Sequence, residues 1–144
     1  MATAGSDAHG PKGYLGGVGS NVVYAEELSA QGILHALAQG HLYLSTGPTL
    51  HLQAQNGEGT TAMIGDTLAV AGDTTRISTS WADAPAGATL RLIVNGAVQE
   101  QQPVNASGEA HWTLLAYGPR WCTIELRGKD GAMLGVTNPI FLGS

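Results

Sequence analysis

Two residues near the start of the chain have the types that hold a divalent metal. Asp7 and His9 stand one residue apart in GSDAHGPKGYLGGVGS. The carboxylate is a hard oxygen donor and the imidazole a borderline nitrogen donor. Two side chains do not fill a site. A mononuclear catalytic zinc takes about three protein ligands and keeps one position for a water whose pKa falls toward about 7. His35 is the candidate third ligand, on a short helix that can fold back on the loop; otherwise it is a solvated residue between Gln31 and Gln39. Glu26 and Glu27, just before that helix, are candidate oxygen ligands or general bases, or acids that only complement the helix dipole. His41, directly after the helix, reads as a structural residue against the helix carbonyls, and His51 and His111 as surface or interstrand residues.

Other chemistry is set aside on spacing. Gly16-Gly17-Val18-Gly19-Ser20 lacks the G-K-[ST] of a phosphate loop and reads as a flexible connection. Ser6, Asp7 and His9 are too close in sequence to place nucleophile, base and orienter in series. Trp81, Trp112 and Trp121 could line a carbohydrate-binding face, or pack in the core or at its edge. Cys122 is alone, which excludes an intramolecular disulfide and a Cys-rich zinc site. It alternates with Ile124 and Leu126 and is expected as a buried strand thiol.

A net charge of −5 with six Lys+Arg leaves no electrostatic footprint for nucleic acid and is a poor match for anionic lipid. No apolar run reaches the roughly 18 residues of a membrane span. With no basic and apolar leader pattern, the expectation is a cytoplasmic protein. The charged share of 12% beside 43% hydrophobic residues argues for a packed domain rather than disorder.

The elements that must position these groups follow from periodicity. In LSAQGILHALAQGH, Ser29 is the N-cap, Gly40 the terminating glycine, and Ile33, Leu34, Ala36 and Leu37 an apolar stripe, which predicts one helix over 30–39. From His41 the period becomes 2. HLYLST, LHLQAQ, RISTSW, TLRLIV, AVQEQ, AHWTLLAY, WCTIELRG and AMLGVTNPIFL read as strands. Asn95-Gly96 and Lys129-Asp130-Gly131 are hairpin turns. The fold class is therefore mainly β: an antiparallel β-sandwich of about seven to nine strands, preceded by a Gly-rich loop and one α-helix. Residues 1–40 form the metal-motif loop and helix, and 41–144 the sandwich.

The order GSDAHG, GYLGG, NVVYAEELSAQGILHALAQGHLYLSTGP and, at the end, Thr137-Asn138-Pro139-Ile140-Phe141 resembles the C-terminal part of metallohydrolases of the PHP (polymerase and histidinol phosphatase) superfamily, in its carbaryl-hydrolase-like branch. The resemblance covers 5–142. It implies a distorted β/α barrel whose closing motif supplies metal ligands, here Asp7 and His9, with a β-sandwich appended. The family's other ligands, an early His-x-His among them, lie upstream of the stretch matched, so residues 1–40 correspond to a remnant with most of the barrel missing.

The function expected is a small hydrolase, dependent on zinc or else manganese, that acts on phosphoesters or phosphotriesters through a metal-bound hydroxide. The alternative is a non-catalytic accessory sandwich of a longer PHP-type enzyme. The expected partners are a small-molecule ester and a second copy of the chain. The second copy would form a homodimer through the open helix face and could complete the metal site.

Overall fold

The computed structural model describes residues 1–5 and 19–143; Asp7 and His9 lie outside them. Among the described residues the order is β1 (Ser20–Val23), α1 (Ala30–Gln39), β2 (Leu42–Ser45), β3 (Thr49–Gln55), β4 (Thr61–Met63), β5 (Thr67–Leu68), β6 (Thr74–Ala82), β7 (Thr89–Val94), β8 (Ala97–Pro103), β9 (Gly108–Leu115), β10 (Arg120–Arg127), β11 (Met133–Thr137) and β12 (Ile140–Leu142).

The strands form two sheets. The larger runs β1-β2-β11-β10-β12-β5, with β7 on the other side of β10 and β8 beyond it; the smaller runs β4-β3-β6-β9. Strand alternation decides what lies between them. Leu50, Leu52 and Ala54 of β3 and Ile77 and Trp81 of β6 face Leu90, Leu92 and Val94 of β7 and Cys122, Ile124 and Leu126 of β10 in one core. The fold is thus the expected β-sandwich with one helix.

Four short strands were not separately legible in the sequence. Val22-Val23 belongs to β1, which pairs antiparallel with β2, Val23 opposite Leu42. The segment AMLGVTNPIFL is two strands. Pro139 lacks the N–H that a continuous ladder needs. The chain breaks there, and β11 and β12 share one edge of β10, along Glu125–Arg127 and Arg120–Cys122 respectively. Strand β5 is added parallel to β12, and β4 antiparallel to β3. The β7–β8 hairpin closes on Asn95 and Gly96 with φ of 50° and 81°, the paired positive values of a type I′ turn.

Helix α1 begins where its cap chemistry dictates. Ser29 is extended and its Oγ accepts the Gly32 N–H at 2.9 Å. At the other end Gly40 is left-handed (φ 79°). The His41 N–H reaches the Ala36 carbonyl at 2.9 Å and the Gly40 N–H the Leu37 carbonyl at 3.0 Å, which is the Schellman arrangement. The turn between β4 and β5 closes on this end. A Cβ on Gly65 would strike the Gln39 carbonyl oxygen, so only glycine permits the approach. The helix rests against β1 and buries Ala36, but Leu34 of its apolar stripe is 65% exposed and the preceding Leu28 98%.

Candidate functional site

Gln31, His35 and Gln39 form an exposed helix face. Together with Tyr24, Glu26, Glu27 and Gly32 it lines a groove of about 300 Å³. The structure thereby gathers three of the residues singled out from the sequence, His35, Glu26 and Glu27. Glu27 has a local task there. Its Oε1 accepts the Ser29 hydroxyl at 2.6 Å while Ser29 caps Gly32, so this acid buttresses the helix start.

The donors of this groove do not amount to a metal site by themselves. Among the described residues no group of three or more His, Cys, Asp and Glu side chains is placed to hold a metal ion. His35, Glu26 and Glu27 share a cavity without converging on one point. Asp7 and His9 lie outside the described residues, so the described groups alone do not fit a metal.

A second groove, of about 520 Å³, lies on the outer face of the smaller sheet. Register builds it. His51, Ser80 and Glu109 stand in one cross-strand row, and Gln53, Ser78 and His111 in the next. The two serines on β6 form a low floor. The longer side chains of β3 and β9 form the walls. His111 Nδ1 lies 3.1 Å from Ser78 Oγ. His51 and His111 are exposed on their strands, as alternation predicts. Alternation shows which residues point outward, but not which strands stand side by side.

Tyr24 lines both grooves. Its hydroxyl donates to the Leu50 carbonyl and also meets His51 Nδ1 at 2.8 Å. With its one proton given to Leu50, the phenol oxygen accepts from His51, which sets that ring as the Nδ1–H tautomer. Burial first, and the neighbouring Tyr43 second, raise the Tyr24 pKa well above that of an ordinary tyrosine, so it stays a neutral phenol. Among the described residues neither groove is lined by Lys or Arg, and the acids present are Glu26, Glu27 and Glu109.

His41 does not use its ring on the helix carbonyls. Only its backbone N–H does so; Nε2 meets Asp66 Oδ1 at 2.8 Å, and Asp66 Oδ2 accepts the Met63 N–H. The long-range approach of the β4–β5 turn made this partner available, and no local pattern announced it. Cys122 is fully buried, and desolvation pushes its thiol up to about 12 against a weaker opposing pull from Arg120. That leaves a neutral, unreactive thiol. Trp81 is in the core with its indole N–H on the Asn105 carbonyl at 2.9 Å, and Trp112 packs against the core. No tryptophan lines either groove. No helix among the described residues is long and apolar enough to cross a membrane.

No family model matches the chain, and neither does any curated protein or solved structure.

Proposed function

We propose that this chain is part of a metal-dependent hydrolase acting on phosphoesters or phosphotriesters, with Asp7 and His9 of the GSDAH motif as metal ligands. The observation that carries this reading is the groove beside α1. His35, Glu26 and Glu27 line it together, giving an imidazole and two carboxylates in one groove. The PHP-like order of motifs supports the same assignment. Asp7 and His9, with His35 or a donor from a second subunit, make up the ligand set. The open flank of α1, with Leu28 and Leu34 in solvent, is the surface on which a second subunit docks. The metal is zinc or manganese, the two ions suited to mixed carboxylate and imidazole donors.

A second reading is favoured by the same lack of convergence. In it the chain is the non-catalytic accessory sandwich of a longer PHP-type enzyme. Metal content by plasma emission, on protein purified without chelator, separates the two. Zinc or manganese in stoichiometric amount, lost in Asp7→Ala and His9→Ala and accompanied by hydrolysis of a nitrophenyl phosphodiester, supports the hydrolase. A folded protein that carries no metal under any loading condition leaves the accessory domain.

A further inference from the structure

We infer that the groove on the outer face of the smaller sheet binds a neutral saccharide through side chains alone, without a metal. It is distinct from the groove beside α1, with which it shares Tyr24. Its volume of about 520 Å³ is that of a small-molecule site. Register decides how its groups are distributed. Across the sheet, Met63 of β4 stands beside Gln53 of β3, Gln53 beside Ser78 of β6, and Ser78 beside His111 of β9. In the next row His51, Ser80 and Glu109 follow the same strand order. The two serines leave room over β6. The flank on β3 and β4 carries apolar and aromatic surface, Met63 and the Tyr24 ring tilted at 45° to His51. The flank on β9 carries a carboxylate and an imidazole. A pyranose is divided in the same way, with C–H groups on its ring faces and hydroxyls around its edge.

The lining argues against other ligand classes. Among the described residues no Lys or Arg lines the groove, so no cation there pairs with a phosphate or a carboxylate. An extended peptide binds a sheet through main-chain hydrogen bonds at an edge. From Arg76 to Trp81, β6 is paired on both sides, with β3 and with β9, and its backbone groups are spent. Only side chains face a ligand, and they are of the kind that exchange hydrogen bonds with hydroxyls. Ser78, Ser80 and Gln53 both donate and accept. His51 gives its Nδ1–H to Tyr24, which leaves Nε2 as an acceptor. His111 is held the other way. Its Nδ1 lies 3.1 Å from Ser78 Oγ and its Nε2 3.9 Å from Glu109 Oε2, so the serine hydroxyl donates to Nδ1 and the Nε2–H stays on the carboxylate side. Glu109 is exposed, and its carboxylate accepts from two neighbouring hydroxyls of one sugar. Both imidazoles are oriented by protein partners before a ligand arrives, which lowers the ordering cost of binding.

The experiment is a titration of the full chain, followed through backbone amide shifts by NMR. Maltotriose, cellotriose, xylotriose and mannotriose are the neutral probes, and inorganic phosphate is the anionic one. The buffer contains a chelator, so the result does not depend on the hydrolase reading. We expect saturable shifts at Gln53, Ser78, Ser80 and His111 with at least one trisaccharide, and none with phosphate. Affinity for that sugar should fall about tenfold in Gln53→Ala and in Glu109→Ala, the cost of one lost hydrogen bond to a ligand. Both residues are exposed, and the amide spectrum away from the groove reports whether each variant keeps its fold. Gln101→Ala, exposed on β8 of the larger sheet, should keep the wild-type affinity. No saturable response to any of the four sugars would overturn the proposal, as would shifts confined to another face or unchanged affinity in both groove variants. A phosphate response at the same amides would also overturn it, because the groove would then be an anion site.

Discussion

Leu50, Ile77, Leu90 and Ile124 in the sandwich are 0% exposed, whereas Leu34 on α1 is 65% exposed and Leu28 just before it 98%. The residue types are the same and the outcome is opposite. In the sandwich two sheets supply two apolar faces, and each buried leucine gains about 1.5–3 kcal/mol from leaving water. Along α1 the apolar stripe rests on β1, and among the described residues of the helix only Ala36 is buried. The helix is held by its two caps and the glycine contact at its end, and Leu28 and Leu34 beside it stay in water.

That contrast can be broken most severely in the core. Leu92→Ala should cost about 2–5 kcal/mol, read as a fall in the urea midpoint, because a cavity opens between sheets that cannot close up. A loss well under this range would mean that the sandwich is not the rigid half. The core also carries a pH signature. The unfolded thiol of Cys122 titrates near its ordinary value of 9.0 and the buried one at about 12. Between those values the unfolded chain has released a proton that the native state keeps, so stability falls as pH rises through that window. Urea titrations from pH 8 to pH 11 should show a steeper decline in the wild type than in Cys122→Ala, with no difference between their slopes below about pH 8.

At the joint between the two regions, Gly40→Ala should cost about 1–2 kcal/mol, since φ is 79° there. Within the layer, Ser29→Ala should cost about 1 kcal/mol through loss of the cap, visible as a lower helical signal at 222 nm before global unfolding. The smallest stability change belongs to Leu34→Glu, within about 0.5 kcal/mol, because the side chain is already in water. Its effect is expected instead in sedimentation velocity, as conversion of a dimer to a monomer. A wild type that is already monomeric at micromolar concentration would remove the second subunit from the proposed site.

The limits of sequence legibility follow the same division. Ser29, Gly40 and the stripe around Ile33 define α1 to the residue, because caps and left-handed glycine are local chemistry. Asn95-Gly96 specifies its hairpin for the same reason. Alternation along β3 and β6 assigns Leu50, Leu52, Ile77 and Trp81 inward and His51 outward. The short strands β4 and β5 escaped because two or three residues carry no period.

What the sequence by itself determined is the helix, its two ends, the strand faces, the hairpin turns and the donor types near the start. Each depends on residues a few positions apart. What only the tertiary structure decided is which strands stand side by side and which distant groups meet: Ser78 with His111, His41 with Asp66, Tyr24 with His51, and Asn138 with both Ala2 and Gly40. The physical reason is that these pairings are selected by how whole faces pack. An interaction spanning a hundred residues leaves no period, cap or turn in the chain on either side of it.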